Sequence, residues 1–89
     1  MFPKILDGAN VLEYTSKGHY GFITDYDKNN NPVEREICYF AICHYEADGY
    51  YYIFSCDHQY DVLIDSCFDT IAQCKNCCHL PPGKIWHKK

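Results

Sequence analysis

The stretch VEREICYFAICHYEADGYYYIFSC, residues 33–56, decides the fold. Val33–Tyr45 and Tyr50–Cys56 are rich in β-branched and aromatic residues and read as two strands. Between them Glu46-Ala47-Asp48-Gly49 ends in Asp-Gly, a strong hairpin signal that places Gly49 at positive φ. Along the first run Cys38, Phe40 and Ile42 share one face, and Ile37, Tyr39, Ala41 and Cys43 share the other. Both faces are apolar, which predicts a central strand with something packed on each side.

Working outward, Asn10–Tyr14 and Gly18–Thr24 read as strands joined tightly through Ser16-Lys17-Gly18. Lys28-Asn29-Asn30-Asn31-Pro32 is a loop, because Asn tolerates left-handed backbone and Pro cannot continue a ladder. Beyond the hairpin, Asp57–Asp61 turns the chain, and Val62–Cys67 gives a short last strand with Val62 and Ile64 on one side. A helix follows. Asp69 or Thr70 caps it, Thr70 with Gln73 fits a capping box, and Ile71, Cys74 and Cys78 form a docking face at i, i+3 and i+7. Pro81 and Pro82 stop it.

The predicted class is α+β: an antiparallel meander sheet of about four or five strands with one C-terminal helix packed on one face. Hairpin connections need no crossover helix, which argues against a parallel sheet. Residues 1–80 are expected to form a single domain. Residues 81–89 are expected to be a basic C-terminal tail, frayed unless Trp86 anchors it.

Composition narrows the function classes. An apolar fraction of 47% excludes a disordered chain. All twelve acidic residues lie at or before Asp69, and only five basic residues precede the tail, an excess of seven negative charges in the body. That sign repels phosphate backbones, so the folded body is not expected to bind nucleic acid, and the same field attracts a basic protein. Met1–Leu12 lacks the apolar run of a secretory signal, and no stretch is long enough to span a membrane. A cytoplasmic setting is expected, with the seven cysteines as reduced thiols.

Motifs for chemistry are sparse. Cys74, Cys77, Cys78 and His79 contain one C-x-x-C but no second knuckle, where a structural zinc site needs four ligands. No metal and no cofactor is expected, and replacing Cys74 and Cys77 by Ser is expected to leave the fold intact. Cys43 and His44 point to opposite faces of a strand and form no dyad. No glycine-rich phosphate loop or nucleophile elbow occurs, so no catalytic residue is assigned and binding is expected instead. Nine tyrosines set among carboxylates favour an interaction surface, since tyrosine offers large area with a polar tip.

From Gly49 to Cys78 the run GYYYIFSCDHQYDVLIDSCFDTIAQCKNCC resembles the small bacterial immunity proteins of polymorphic toxin systems, including those of contact-dependent growth inhibition. The shared pattern is an aromatic strand ending in a Cys-Asp turn, a short strand, and a capped helix. The helix departs from it, with Cys-rich Ala72–Cys78 in place of a stretch rich in Glu, Lys and Ala. The resemblance implies tight binding to a cognate toxin domain, often a nuclease, and no catalysis. On this reading the expected contact residues are Asp25, Asp27, Glu34, Glu36, Asp57 and Asp61, which sit in or beside turns, with Tyr60 as the aromatic anchor. The turn Asp57–Asp61 ranks first among them because the resemblance covers it. The alternatives are an accessory interaction domain without a toxin and a small Cys/His metal-binding protein.

Overall fold

In the computed structural model, which describes Met1–Lys89, residues 39–56 are the centre of the molecule. The elements run β1 (Ile5–Leu6), β2 (Ala9–Thr15), β3 (Gly21–Tyr26), β4 (Pro32–Ile37), β5 (Tyr39–His44), β6 (Tyr51–Cys56), β7 (Val62–Phe68), α1 (Ile71–Cys77) and β8 (Trp86–Lys88). The protein is α+β. Its main antiparallel sheet has the order β1-β2-β5-β6-β7, with β8 also pairing β2, and β3 with β4 forms a separate two-stranded sheet.

β5 is the expected two-faced central strand. Ala41, Cys43, Phe54 and Cys56 pack on one side with Phe2, Leu6, Ala9 and Val11. Ile42 and Ile53 pack on the other with Cys74 of α1. Each fully buried large side chain here, such as Phe54 or Ile42, contributes roughly 1.5–3 kcal/mol. β2 serves both cores through a register shift between Val11 and Glu13. A bulge inverts the alternation of side chains. Val11 therefore points into the first core while Glu13, two residues on, meets Lys75 of α1 at 2.9 Å.

Several sequence-based expectations are corrected. Val33–Tyr45 is not one strand: Cys38 breaks it, its N–H donating to Cys56 O and its carbonyl accepting from Gly18 N. Before Cys38 the chain pairs with β3, and after it with β2 and β6. β2 and β3 consequently lie in different sheets. Gly21, at φ +137°, sits where the chain passes from one to the other, in a backbone region that only glycine enters freely. Val62 and Ile64 do not share a side, because Leu63 is bulged out between them. The tail is not frayed: β8 pairs with Glu13–Thr15, His87 stacks on Tyr14, and the Lys89 ammonium donates to the Phe2 carbonyl.

The capping box forms as read. Thr70 Oγ1 accepts from Gln73 N, and the Gln73 side chain accepts from Thr70 N. The helix ends at Cys77, ahead of the prolines. Cys74 is fully buried, and Cys43 and Cys56 are buried in the opposite core. Burial pushes the thiols of Cys43 and Cys56 up to about 12 and that of Cys74 up to about 11. Cys74→Ser is therefore expected to cost about 1–3 kcal/mol by placing a hydroxyl in an apolar core. Cys77→Ser, at an exposed position, should stay within about 0.5 kcal/mol. Equal denaturation midpoints for the two variants would contradict this placement of the helix face.

The turn between β5 and β6 works differently from expectation. Gly49 does not have positive φ, and a methyl group on it would meet nothing within 4 Å. The Asp48 carboxylate holds the turn instead, accepting from Tyr50 N at 3.0 Å and from the Tyr52 hydroxyl at 3.0 Å. Gly49→Ala is thus expected to be neutral or stabilising by up to about 1 kcal/mol. Asp48→Ala is expected to cost about 1 kcal/mol. Denaturant titration of both variants checks the order, and destabilisation by Gly49→Ala would restore the glycine-dependent turn.

Candidate interaction surface

The β3–β4 hairpin projects from the main sheet and carries four of the expected contact residues. Its loop is closed by Asp27, whose Oδ1 accepts from Asn29 N and Asn31 N at 2.9 Å each, with Asn30 at φ +62°. Pairing runs from Gly21↔Ile37 through Thr24↔Glu34 to Tyr26↔Pro32. Alternation then places Phe22, Thr24 and Tyr26 beside Pro32, Glu34 and Glu36 on one face. That face is turned to solvent: Phe22 is 63% and Tyr26 61% exposed. The other face carries Ile23, Asp25, Val33 and Arg35 and looks back toward the main sheet.

An isolated two-stranded sheet is marginal in water, so the hairpin needs a tether. Arg35 supplies it. Its Nη2 donates to Asp57 Oδ2 at 2.6 Å, and its Nη1 lies 3.6 Å from Asp25. Asp57 Oδ1 accepts from Gln59 N and Asp61 N at 2.9 and 3.0 Å, closing the turn between β6 and β7. Burial pushes the Asp57 carboxyl up, but the Arg35 hydrogen bond, the two backbone N–H groups and the Arg35 charge outweigh it and leave it below the usual range. Beside this pair lies a polar cleft of about 360 Å³, lined by Lys17, His19, Glu34, Glu36, His58 and Gln59 among others. His19 Nδ1 donates to Glu36 Oε2 across it at 2.7 Å.

The seven expected contact residues therefore separate. Asp25, Asp27, Glu34 and Glu36 lie together on the hairpin, and Asp61 is exposed at the start of β7. Asp57 is only 4% exposed, and its oxygens are committed within the chain. Tyr60, at φ +66°, stacks on Tyr39 at 4.8 Å and meets Phe2 edge-on. Both residues hold the turn, the Asp57 oxygens and the Tyr60 ring being engaged within the chain, and of the expected contact residues in this turn Asp61 alone is exposed. Phe22 and Tyr26 were missed by sequence reasoning. The alternation Phe22-Thr24-Tyr26 carries the signal, but ending the strand at Thr24 left Tyr26 outside it. Among Cys74, Cys77, Cys78 and His79 the sulfurs of Cys77 and Cys78 lie 3.6 Å apart, but no group of three or more His, Cys, Asp or Glu side chains is disposed to hold a metal ion. No helix is long and apolar enough to cross a membrane.

Comparison with protein-family profiles, with curated proteins and with solved structures returns no match to this chain.

The depressed Asp57 carboxyl fixes the sign of a pH effect. Its contribution is fully present above the unfolded value of about 3.9 and is lost as pH falls through the lower folded value. Arg35→Ala leaves the buried carboxylate without its cation and is expected to cost about 2–3 kcal/mol at pH 7, below the full cost of a deeply buried pair because Arg35 is partly exposed. In the variant the folded Asp57 value moves up toward the unfolded one, so less stability should be lost on acidification and the gap to wild type should narrow below about pH 4. Denaturant melts from pH 3 to 7 measure both effects, and superimposable profiles would remove the pair from the stability of the hairpin.

Proposed function

We propose that this protein is an immunity-type inhibitor, which neutralises a cognate basic toxin domain of nuclease type by binding it in the bacterial cytoplasm, with no catalysis of its own. The observation that carries this reading is the solvent face of the β3–β4 hairpin, where Phe22 and Tyr26 stand exposed beside Glu34 and Glu36. Large aromatics are costly to leave in water and are the residue types that anchor interfaces. The carboxylates around them give the surface its partner. The hairpin holds Asp25, Asp27, Glu34 and Glu36 against Lys28 and Arg35, so its charge is negative. A nuclease cleft is positive because it receives phosphates, and an acidic projection meets it with the same sign as its substrate.

The division of labour follows from physics. Carboxylates steer the encounter and are screened by salt, while buried aromatics set the dissociation rate. Co-expression with a basic nuclease toxin domain from a neighbouring gene, which this reading expects, tests it directly. Wild type should restore growth and co-purify with the toxin. Phe22→Ser combined with Tyr26→Ser should abolish rescue and weaken binding at least about a hundredfold, roughly 2.7 kcal/mol, while melting stays unchanged. Glu34→Lys should slow association at low salt, with rates converging as salt rises. Full rescue by the double aromatic variant would move the interface elsewhere. Absence of any rescue or complex with wild type would favour an accessory interaction domain without a toxin.

A further inference from the structure

The main sheet has one long open edge. On the β2 side, β1 pairs with Ala9 and Asn10 and β8 with Glu13–Thr15, so that edge is covered at both ends. On the other side the order ends at β7, seven residues paired only to β6. Helix α1 packs over the face of β6 and β7 and leaves this edge open. Ile64, Asp65, Ser66 and Cys67 are all exposed, with Ile64 at 43%. The bulge at Leu63 confines the regular edge to residues 64–68. Alternate residues of such an edge aim both backbone groups outward, enough for roughly four to six hydrogen bonds to an added strand.

We infer that β7 is an acceptor edge for an extended, Lys/Arg-bearing segment of a partner protein, which joins the main sheet as a further strand. The charge pattern selects that occupant. Asp61, Asp65 and Asp69 recur at four-residue spacing along the strand and its flanks, and all three are exposed. Pairing with a second copy over the regular edge would set Ser66 against Ser66 and place Asp65 diagonal to the copy's Asp65 and Asp69, gathering like charge along the seam, which is unfavourable. A basic strand meets the same positions with opposite charge. The regular edge is supported on its inner side by Ile53 and Phe54, buried in the two cores, so its register is fixed before the partner arrives. This edge lies apart from the β3–β4 face, and its assignment does not depend on a toxin.

The test uses the whole chain, labelled with ¹⁵N, and a capped nine-residue peptide alternating Lys with Val. At saturating peptide the outward-facing amides within residues 64–68 should exchange with solvent at least tenfold more slowly. A peptide with Glu in place of each Lys should give no protection. Asp65→Lys should weaken binding at least tenfold and Asp65→Asn by less, both with unchanged melting, whereas Phe22→Ser should bind as wild type does. Unchanged exchange in β7, protection confined to the hairpin, or affinity indifferent to Asp65→Lys would each overturn the proposal. So would sedimentation of the free chain as a dimer with β7 already protected, since the occupant would then be a second copy.

Discussion

A single carboxylate, that of Asp57, sits where three parts of the molecule meet. One oxygen closes the turn between β6 and β7 by accepting two backbone N–H groups, and the other holds Arg35 of the hairpin. Neither job can be released alone, because losing the guanidinium leaves a buried charge in the turn and opening the turn releases the guanidinium. The hairpin is thereby held in place relative to the main sheet, though it buries little of its own surface. For the proposed binding surface that is an advantage: Phe22 and Tyr26 are carried on an element whose orientation is set beforehand, which lowers the ordering cost on association.

The interior follows a different logic, that of strand parity. Two cores on opposite faces of one sheet demand apolar residues at consecutive positions of β5, and Tyr39–Cys43 supply them. This much was legible from residues 33–56, and the capping box and the docking face of the helix were legible from residues 69–78. The bulges at Leu12 and Leu63 were not. A bulge leaves no mark in composition; it is the resolution of a conflict between strand twist and the side each residue must face. Glu13 illustrates the point, since a strict alternation from Ala9 and Val11 would drive its carboxylate into the first core, away from Lys75. The break at Cys38 was hidden for a similar reason. The residue is as apolar as its neighbours, and only the change of hydrogen-bonding partners across it divides the run.

Legibility of the surface was uneven. Acidic residues near turns divide into those that build the turn and those that are free to reach outward, and residue type alone does not separate them. Asp27, Asp48 and Asp57 belong to the first group, their oxygens accepting from backbone N–H groups just beyond them in the chain. Glu34, with one more methylene and a place in mid-strand, belongs to the second. Aspartate followed within two or three residues by other turn formers is the usual signature of a side chain spent on its own backbone. Tyr60 shows the same ambiguity for aromatics: its ring stacks on Tyr39 and meets Phe2 edge-on, and left-handed backbone is the conformation that brings it there.

The buried thiols have a kinetic meaning. Burial pushes the thiols of Cys43 and Cys56 up and keeps them protonated at neutral pH, and neither sulfur is open to a reagent in solution. Cys67 and Cys77, on the surface, react from the folded protein. Alkylation or oxidation at Cys43 and Cys56 must therefore wait for the chain to open. Its rate then reports the population of open molecules when closing outpaces the reagent, and the opening rate when it does not. The core cysteines thus act as a clock for the protein's excursions from the native state, and the chemical lifetime of these two thiols is governed by how often the chain opens.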